Sequence, residues 1–209
     1  MTDTLLVVCT ANVCRSPLAV AVLDNALFGQ SLGQRIAMRS RGVDAEAGRP
    51  VCSQALQVAR AHGVWTRTAD HHLATGVERG SLAAADLILT ADRRVRSRVV
   101  KLDPRVAERT FTIREAAALA RLTSPGDHEH PPDLGGFAAA LNDNRGLTDL
   151  PALERPLMLP WPRLRLHAHD VPDAHAEPQA SHRVVYRTLV PAVKELAEHL
   201  AAFASVGRR

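Results

Sequence analysis

The sequence predicts an α/β fold, a four-stranded parallel sheet with helices on both faces. Three observations indicate it. Short apolar runs alternate along the chain with segments of helical periodicity, which is the pattern of a parallel sheet wrapped by helices. The first of these runs, Leu5-Leu6-Val7-Val8, passes through a short loop directly into an apolar helix. With 209 residues, 46% of them hydrophobic, the chain is long enough to bury one good core.

The first half of the chain provides two strands and two helices. Residues 4–9 are predicted to form a strand because their apolar run is continuous, and residues 16–29 the helix that follows. A second strand fits residues 36–42. The next helix runs from about Cys52 to His62 and ends before Gly63, a residue typical of helix ends.

The second half continues the alternation. Residues 85–90 are predicted to form a third, buried strand, followed by an arginine-rich helix over 92–101. A short fourth strand over 109–113 precedes a helix over 114–122. The last helix, over about 180–204, carries apolar residues on one face: Val185, Leu189, Val193, Leu196 and Leu200.

We predict a single domain over residues 1–209. Residues 123–166 interrupt the alternation, because they are rich in proline and contain the run Asp127-His128-Glu129-His130. This stretch is too poor in apolar residues for a core of its own. We therefore expect a surface insert with one short helix near Phe137–Leu141.

Charge and composition exclude several functions. The formal net charge of +4 suits an anionic substrate, but no basic tract is interleaved with aromatic residues, so we expect no nucleic-acid binding. No segment reaches membrane-spanning length, and the N-terminal apolar run is too short for a signal peptide, so we expect no membrane partner. The three cysteines make no disulfide framework and fit a reducing, cytoplasmic location. The sequence gives no indication of oligomeric state.

The loop between the first strand and the first helix has the residues of a phosphate-binding loop with a nucleophile at its base. Cys9 ends the strand, and Arg15 follows it by six residues at the start of the helix. Such a loop points backbone N–H groups inward, where a thiol ionises readily and a phosphate binds. Arg15 has the planar shape to bind two phosphoryl oxygens, and we expect Ser16 to cap the helix with Pro17 at its first position. The predicted phosphate-binding residues are Thr10, Ala11, Asn12, Val13, Cys14, Arg15 and Ser16.

At these residues the sequence resembles the low-molecular-weight protein tyrosine phosphatase family, which opens with a strand and the motif Cys-x-Gly-Asn-x-Cys-Arg-Ser-Pro. Ala11 stands where the family has glycine. The resemblance covers most of the chain outside the central insert. It continues through Ser40-Arg41-Gly42, Gly48-Arg49-Pro50, Ala85-Asp86-Leu87-Ile88-Leu89 and Val171-Pro172-Asp173.

The resemblance implies a cysteine-dependent phosphomonoesterase that hydrolyses phosphotyrosine or a related phosphoester, on a protein or a small molecule, through a cysteinyl-phosphate intermediate. Cys9 would be the nucleophile, Arg15 would bind the phosphoryl oxygens and Asp173 would protonate the leaving group. No metal or cofactor is implied, because the guanidinium and the loop amides supply the positive charge. The residues implied to support the loop are Asn12, Ser16 and Ser40.

Some positions depart from the family pattern. Ala174 stands where the family has a proline after the acid, and Asp170 is the alternative acid. The pair Asp103-Pro104 has the family's dipeptide but follows a predicted helix, where we expect a turn. Ala69 falls where the family often has a supporting histidine, with His71 and His72 close by.

The remaining cysteines and the histidine pairs have less specific patterns. Cys14 is either a partner for a reversible disulfide with Cys9, which would protect the nucleophile from over-oxidation, or a small packed residue. Cys52 is predicted to be structural. The pairs His128/His130 and His167/His169 have metal-ligand spacing, but flanking prolines and the lack of cysteine partners argue against a metal site.

Two other functions stay open at this point. A thioredoxin-coupled arsenate reductase shares the fold and loop, but residues 70–100 lack the further cysteines that would relay a disulfide. A weakly catalytic phosphate-binding regulatory module is suggested by Ala11, Ala69 and Ala174. The chain has few aromatic residues to line a phosphotyrosine cleft, and the apolar Val13 makes phosphoarginine a less favoured substrate.

Overall fold

The computed structural model describes residues 2–30, 32–64, 70–123, 130–146, 167–177 and 180–205. The strands of this part of the chain form one parallel sheet in the order β2-β1-β3-β4. They are β1, Asp3–Cys9; β2, Ile36–Gly42; β3, Leu87–Thr90; and β4, Thr110–Thr112. The predicted four-stranded parallel sheet is confirmed.

The helices of the described residues follow the predicted order. They are α1, Arg15–Leu27; α2, Ser53–Ala61; α3, Arg79–Ala83; α4, Arg93–Leu102; α5, Ile113–Ala120; α6, Leu134–Asp143; and α7, His182–Ser205. The sequence did not predict α3 or the 3₁₀ helix Pro104–Arg109, because neither is long enough for a periodic pattern. Among these helices none is both long and apolar enough to cross a bilayer.

The central strand β1 buries alternate side chains on the two faces of the sheet. Leu5 and Val7 belong to the larger apolar cluster, together with residues of α1, α2, α5, α6 and α7. Leu6 and Val8 belong to a second cluster, together with residues of α3 and α4. A strand covered on both faces is apolar at every position, which explains the continuous run in the sequence. Helices on both faces of the sheet are therefore confirmed.

The short helix predicted near Phe137–Leu141 is confirmed as α6, but the surface position predicted for it is wrong. Its side chains Leu134, Phe137 and Leu141 are completely buried in the larger cluster. The ring of Phe137 packs edge-to-face against Phe203 of α7. A few large side chains among glycines and alanines are enough to fill a gap that the other helices leave. The proline-rich residues 124–129 and 147–166 lie outside the described residues, and the single domain stays a prediction.

Candidate active site

The predicted phosphate-binding loop lies at the carboxyl end of β1, in the interior of the sheet. In parallel α/β sheets this edge is where ligands bind. The end of β2 holds the loop from one side, since Val43 and Asp44 donate their backbone N–H groups to the carbonyls of Cys9 and Thr10 at 3.0 and 2.9 Å. The fold thus places the N-terminus of α1 and the loop amides around one point.

Cys9 lies at the base of the loop and is only 2% exposed. Its Sγ accepts a hydrogen bond from the backbone N–H of Asn12 at 3.2 Å. The hydroxyl of Ser16 lies 3.1 Å from the same sulfur. These two contacts fix the thiol at the floor of the loop.

Asn12 holds the loop in shape. Its φ of 56° lies in the left-handed region, which asparagine tolerates better than most residues. Its buried amide nitrogen donates to the hydroxyls of Ser16 at 2.9 Å and Ser40 at 3.0 Å. Its amide oxygen accepts from the backbone N–H of Thr75 at 2.9 Å. The structure therefore brings together the three residues that the sequence predicted to support the loop.

Ser16 does not cap α1, and this prediction is wrong. The helix begins at Arg15, so Pro17 is its third residue rather than its first, and the capping position falls on Cys14 with no side-chain hydrogen bond. The hydroxyl of Ser16 instead contacts Cys9 and Asn12. The helix starts earlier than predicted because its first turn forms part of the loop.

A histidine also supports the loop. His72 places its Nε2 2.7 Å from the backbone carbonyl of Asn12. Ala69, the position predicted by counting along the chain, lies outside the described residues. Sequence spacing did not show which of the neighbouring histidines reaches the loop, because that depends on the path of the chain between α2 and α3.

Arg15 is the most connected charged side chain of the site, and only 2% of the residue is exposed. One terminal nitrogen donates to Asp92 at 2.7 Å and to the carbonyl of Val171 at 3.1 Å. The other donates to the hydroxyl of Thr10 at 3.0 Å and forms an ion pair with Asp173. Burial by itself lowers the pKa of Arg15, but the negative charges of Cys9, Asp173 and Asp92 outweigh it and the pKa is raised. The guanidinium is thus a fixed positive charge.

The two candidate acids occupy different places. Asp173 faces the loop, where its carboxylate contacts Arg15 and accepts the backbone N–H of His175 at 3.0 Å. Asp170 turns away and binds Arg93, whose backbone N–H it accepts at 3.0 Å and whose guanidinium it contacts at 3.2 Å. Of these two residues, only Asp173 is placed to act on a phosphate held by Arg15.

Asp92 is a site residue that the sequence reasoning missed. Besides its ion pair with Arg15, its carboxylate accepts the backbone N–H of Val95 at 2.8 Å and so caps α4. An aspartate just after a buried strand is a detectable signal. Its partner could not be identified from the sequence, because the order of the strands was not known.

Cys14 belongs to the loop and is buried. Burial, and then the neighbouring thiols Cys9 and Cys52, raise the pKa of Cys14 to about 12. Its side chain is therefore a neutral thiol near pH 7.

We expect Gly42→Ala to distort the loop. A Cβ at this position would lie 2.6 Å from the carbonyl oxygen of Thr10 and 2.9 Å from the backbone nitrogen of Asn12, both of which are main-chain atoms. The substitution should lower the free energy of unfolding by about 1–3 kcal/mol and weaken the binding of inorganic phosphate. Thermal unfolding and a phosphate titration measure the two effects.

Gly80→Ala is the matched control. Apart from its chain neighbours and the backbone of α3 itself, no atom of the described residues lies within 4 Å of the Cβ position at Gly80, and alanine favours helix more than glycine does. Equal losses of stability and phosphate affinity in both variants would contradict the close approach of β2 to the loop.

Comparisons with known proteins match one family model and several relatives. A family model described as low molecular weight phosphotyrosine protein phosphatase matches residues 4–125. The "Probable low molecular weight protein-tyrosine-phosphatase EpsP" of Ralstonia nicotianae is 31% identical over 115 residues, which cover 55% of this chain and 73% of that protein. Low molecular weight protein-tyrosine phosphatase A of Mycobacterium tuberculosis is 38% identical over 88 residues, 41% of this chain and 50% of that protein. The chain thus spans about half the length of this second relative.

A solved structure shows the same fold over nearly the whole chain. The tyrosine phosphatase amsI of Erwinia amylovora superposes with a TM-score of 0.61 at 19% identity, covering 95% of this chain and 93% of the other. Asp173 lies beyond residues 4–125, so its place in the site comes from the structure rather than from the family model.

Proposed function

The chain belongs to the low molecular weight phosphotyrosine protein phosphatase family of cysteine-dependent phosphatases, and on that premise we propose that it hydrolyses phosphotyrosine in proteins with Cys9 as nucleophile. One observation carries the assignment of roles. The buried Arg15 begins α1 at the end of the loop that starts at Cys9, and it is in contact with Asp173, a carboxylate 158 residues away in the chain. A nucleophile, a phosphate-binding cation and an acid thus meet at one point.

In the first step the thiolate of Cys9 attacks phosphorus in line with the departing oxygen. Arg15 and the loop N–H groups bind the equatorial phosphoryl oxygens as charge redistributes in the transition state. Asp173 has to leave the guanidinium for the phosphate to bind there. Asp92 stays and holds the orientation of Arg15. The carboxylic acid of Asp173 gives its proton to the leaving oxygen, so the S–P bond forms as the P–O bond breaks.

In the second step water hydrolyses the cysteinyl phosphate. The Asp173 carboxylate, now deprotonated, accepts a proton from the water that attacks phosphorus. The S–P bond breaks and the electron pair returns to the sulfur of Cys9. The hydroxyl of Ser16, 3.1 Å from that sulfur, is placed to donate a hydrogen bond to it. Inorganic phosphate leaves and the enzyme is restored.

The buried position of the nucleophile supports phosphotyrosine over phosphoserine. Cys9 lies at the floor of the loop, and a phosphate on a long, flat tyrosyl side chain reaches deeper than one on a serine. The test uses two peptides that differ only in carrying phosphotyrosine or phosphoserine. We expect the chain to release phosphate from the phosphotyrosyl peptide at least 100-fold faster. Rapid acid quenching should trap phosphate on Cys9. Equal rates of phosphate release from the two peptides would contradict phosphotyrosine as the preferred substrate. The absence of a phosphocysteine would contradict Cys9 as the nucleophile.

We expect mild peroxide to inactivate the enzyme reversibly. The Cys9 thiolate attacks peroxide to give a sulfenic acid, and the Cys14 thiol then displaces water to close a disulfide. The high pKa of Cys14 makes it a poor first target for peroxide. In Cys14→Ser, thiol reductants should restore less than about a tenth of the activity, because Cys9 oxidises further. Mass spectrometry of the oxidised wild type without a Cys9–Cys14 crosslink would refute this disulfide.

A further inference from the structure

Four side chains with metal-binding atoms meet beside the phosphate-binding loop. Cys14 precedes the first residue of α1, Cys52 precedes the first residue of α2, and His182 is the first residue of α7. The fourth, His175, follows Asp173 by two residues. We refer to these four residues, Cys14, Cys52, His175 and His182, as the thiol–imidazole cluster.

Three of the four ligand atoms, those of Cys14, His175 and His182, lie close enough to share one ion, and Cys52 contacts one of them. The Sγ of Cys52 lies 3.3 Å from the Nε2 of His182. That nitrogen lies 3.4 Å from the Nε2 of His175. The sulfur of Cys14 lies within 4.8 Å of a ring nitrogen of each histidine. Among the described residues, these three, Cys14, His175 and His182, are the group whose ligand atoms converge in this way.

The two separations at His182 fit the edges of a tetrahedral zinc site. Bonds of about 2.0 Å to nitrogen and 2.3 Å to sulfur place two nitrogens about 3.3 Å apart and a nitrogen and a sulfur about 3.5 Å apart. The nitrogen–nitrogen and nitrogen–sulfur distances at His182 agree with both values. Two thiolates and two imidazoles are a ligand set that selects zinc.

The Nε2 of His182 has two close polar neighbours, the sulfur of Cys52 and the Nε2 of His175. A ring nitrogen carries either one proton or one lone pair in the plane, so a single proton or lone pair serves both contacts. A metal ion bound to the lone pairs of all three groups would replace both shared contacts.

We propose that the thiol–imidazole cluster binds one Zn²⁺ ion through the sulfurs of Cys14 and Cys52 and the Nε2 atoms of His175 and His182. Binding displaces one proton from each thiol, so Zn²⁺ and two thiols give a zinc dithiolate and two protons. His175 is exposed and provides the route of entry. The sequence did not indicate this site, because its four residues lie far apart in the chain.

The bound ion would inhibit turnover, and this consequence rests on the proposed function. His175 donates its backbone N–H to Asp173, whose carboxylate pairs with Arg15. An ion that joins His175 to Cys14 would connect the loop of the acid to the phosphate-binding loop. Asp173 would then stay on Arg15 and compete with the substrate phosphate.

Cobalt serves as the probe, because tetrahedral Co²⁺ with thiolate ligands has an intense and characteristic absorption spectrum. The full chain, reduced, is titrated with Co²⁺ and then with Zn²⁺ as the competitor. We expect one ion per chain with a tetrahedral dithiolate spectrum, which Zn²⁺ removes stoichiometrically. This readout is independent of activity, so it distinguishes failure of the metal site from failure of the proposed phosphatase mechanism.

Variants locate the ion. Cys52→Ser and His182→Gln should each weaken Co²⁺ binding at least about tenfold. Both substitutions are at partly exposed positions, and circular dichroism checks that the variants fold. Cys9→Ser and His199→Ala should bind Co²⁺ as the wild type does, since neither side chain belongs to the cluster. If Cys9→Ser loses the spectrum while Cys52→Ser keeps it, the ion sits on the nucleophile and the proposal is wrong. An absence of the tetrahedral spectrum in the wild type also overturns it.

Discussion

Cys9→Ser is expected to abolish hydrolysis of an aryl phosphate, lowering kcat by about four orders of magnitude or more. A serine hydroxyl is not ionised near neutral pH and cannot replace the thiolate. The substitution is nearly isosteric at a buried position, so the fold and the affinity for inorganic phosphate should be retained. Steady-state kinetics, thermal unfolding and a phosphate titration measure the three quantities. Activity within tenfold of the wild type would rule out Cys9 as the nucleophile.

Arg15→Ala should abolish turnover to a similar extent, but through phosphate binding. The variant loses the cation that binds the phosphoryl oxygens and leaves Asp92 and Asp173 facing each other without a counter-charge. Removing one partner of a buried ion pair costs about 3–5 kcal/mol of stability, so a lower melting temperature is expected as well.

Arg15→Lys is the conservative control. It keeps a positive charge between the two carboxylates, but it lacks the planar group that binds two oxygens at once. We expect it to fold more stably than Arg15→Ala and still to lose most of its activity. Full activity in Arg15→Lys would contradict bidentate binding of the phosphate.

Asp173→Asn is the third large effect. It should slow turnover by roughly two to four orders of magnitude on substrates with poor leaving groups, because an amide has no acidic proton to give. The loss should be smaller on an activated aryl ester, whose leaving group needs little protonation. Phosphate or vanadate binding should persist, since the loop is unchanged. In this variant the ligand no longer has to displace a carboxylate from Arg15.

Asp170→Asn is the matched control, because it changes the same chemical group three residues earlier in the chain. Its carboxylate pairs with Arg93 rather than Arg15, so the effect on turnover should be far milder. A series of aryl phosphates with leaving groups of different acidity measures both variants. If the two variants exchange phenotypes, Asp170 is the acid. If neither variant changes the rate on any substrate, the chain is better described as a phosphate-binding module.

The sequence predicted the strands closely and the helices to within about two residues at most ends. Ile36–Gly42 agrees at both ends with the predicted second strand, and α1 begins at Arg15 rather than at residue 16. These elements could be predicted because their burial leaves a periodic pattern in the local sequence. The pattern does not show which short segments reach the core. The burial of α6 was missed for that reason, since its three large side chains are separated by small residues.

What the sequence by itself determined is the part of the site built from consecutive residues. From Cys9 to Ser16 the strand, the loop and the first turn of the helix fix the positions of neighbouring groups, so spacing alone predicted the cysteine at the base and the arginine above it. The turn at Asn12 is local for the same reason, since its left-handed φ is a property of one residue.

Only the tertiary structure decided which distant groups meet this loop. Asp92 and Asp173 reach Arg15 across 77 and 158 residues, and His182 reaches Cys52 across 130. Such contacts depend on the order of the strands and on how the loops at their carboxyl ends pack, and no local pattern encodes either. The physical reason is that a short loop restricts its own residues, whereas side chains far apart in sequence are positioned only when the whole core has packed.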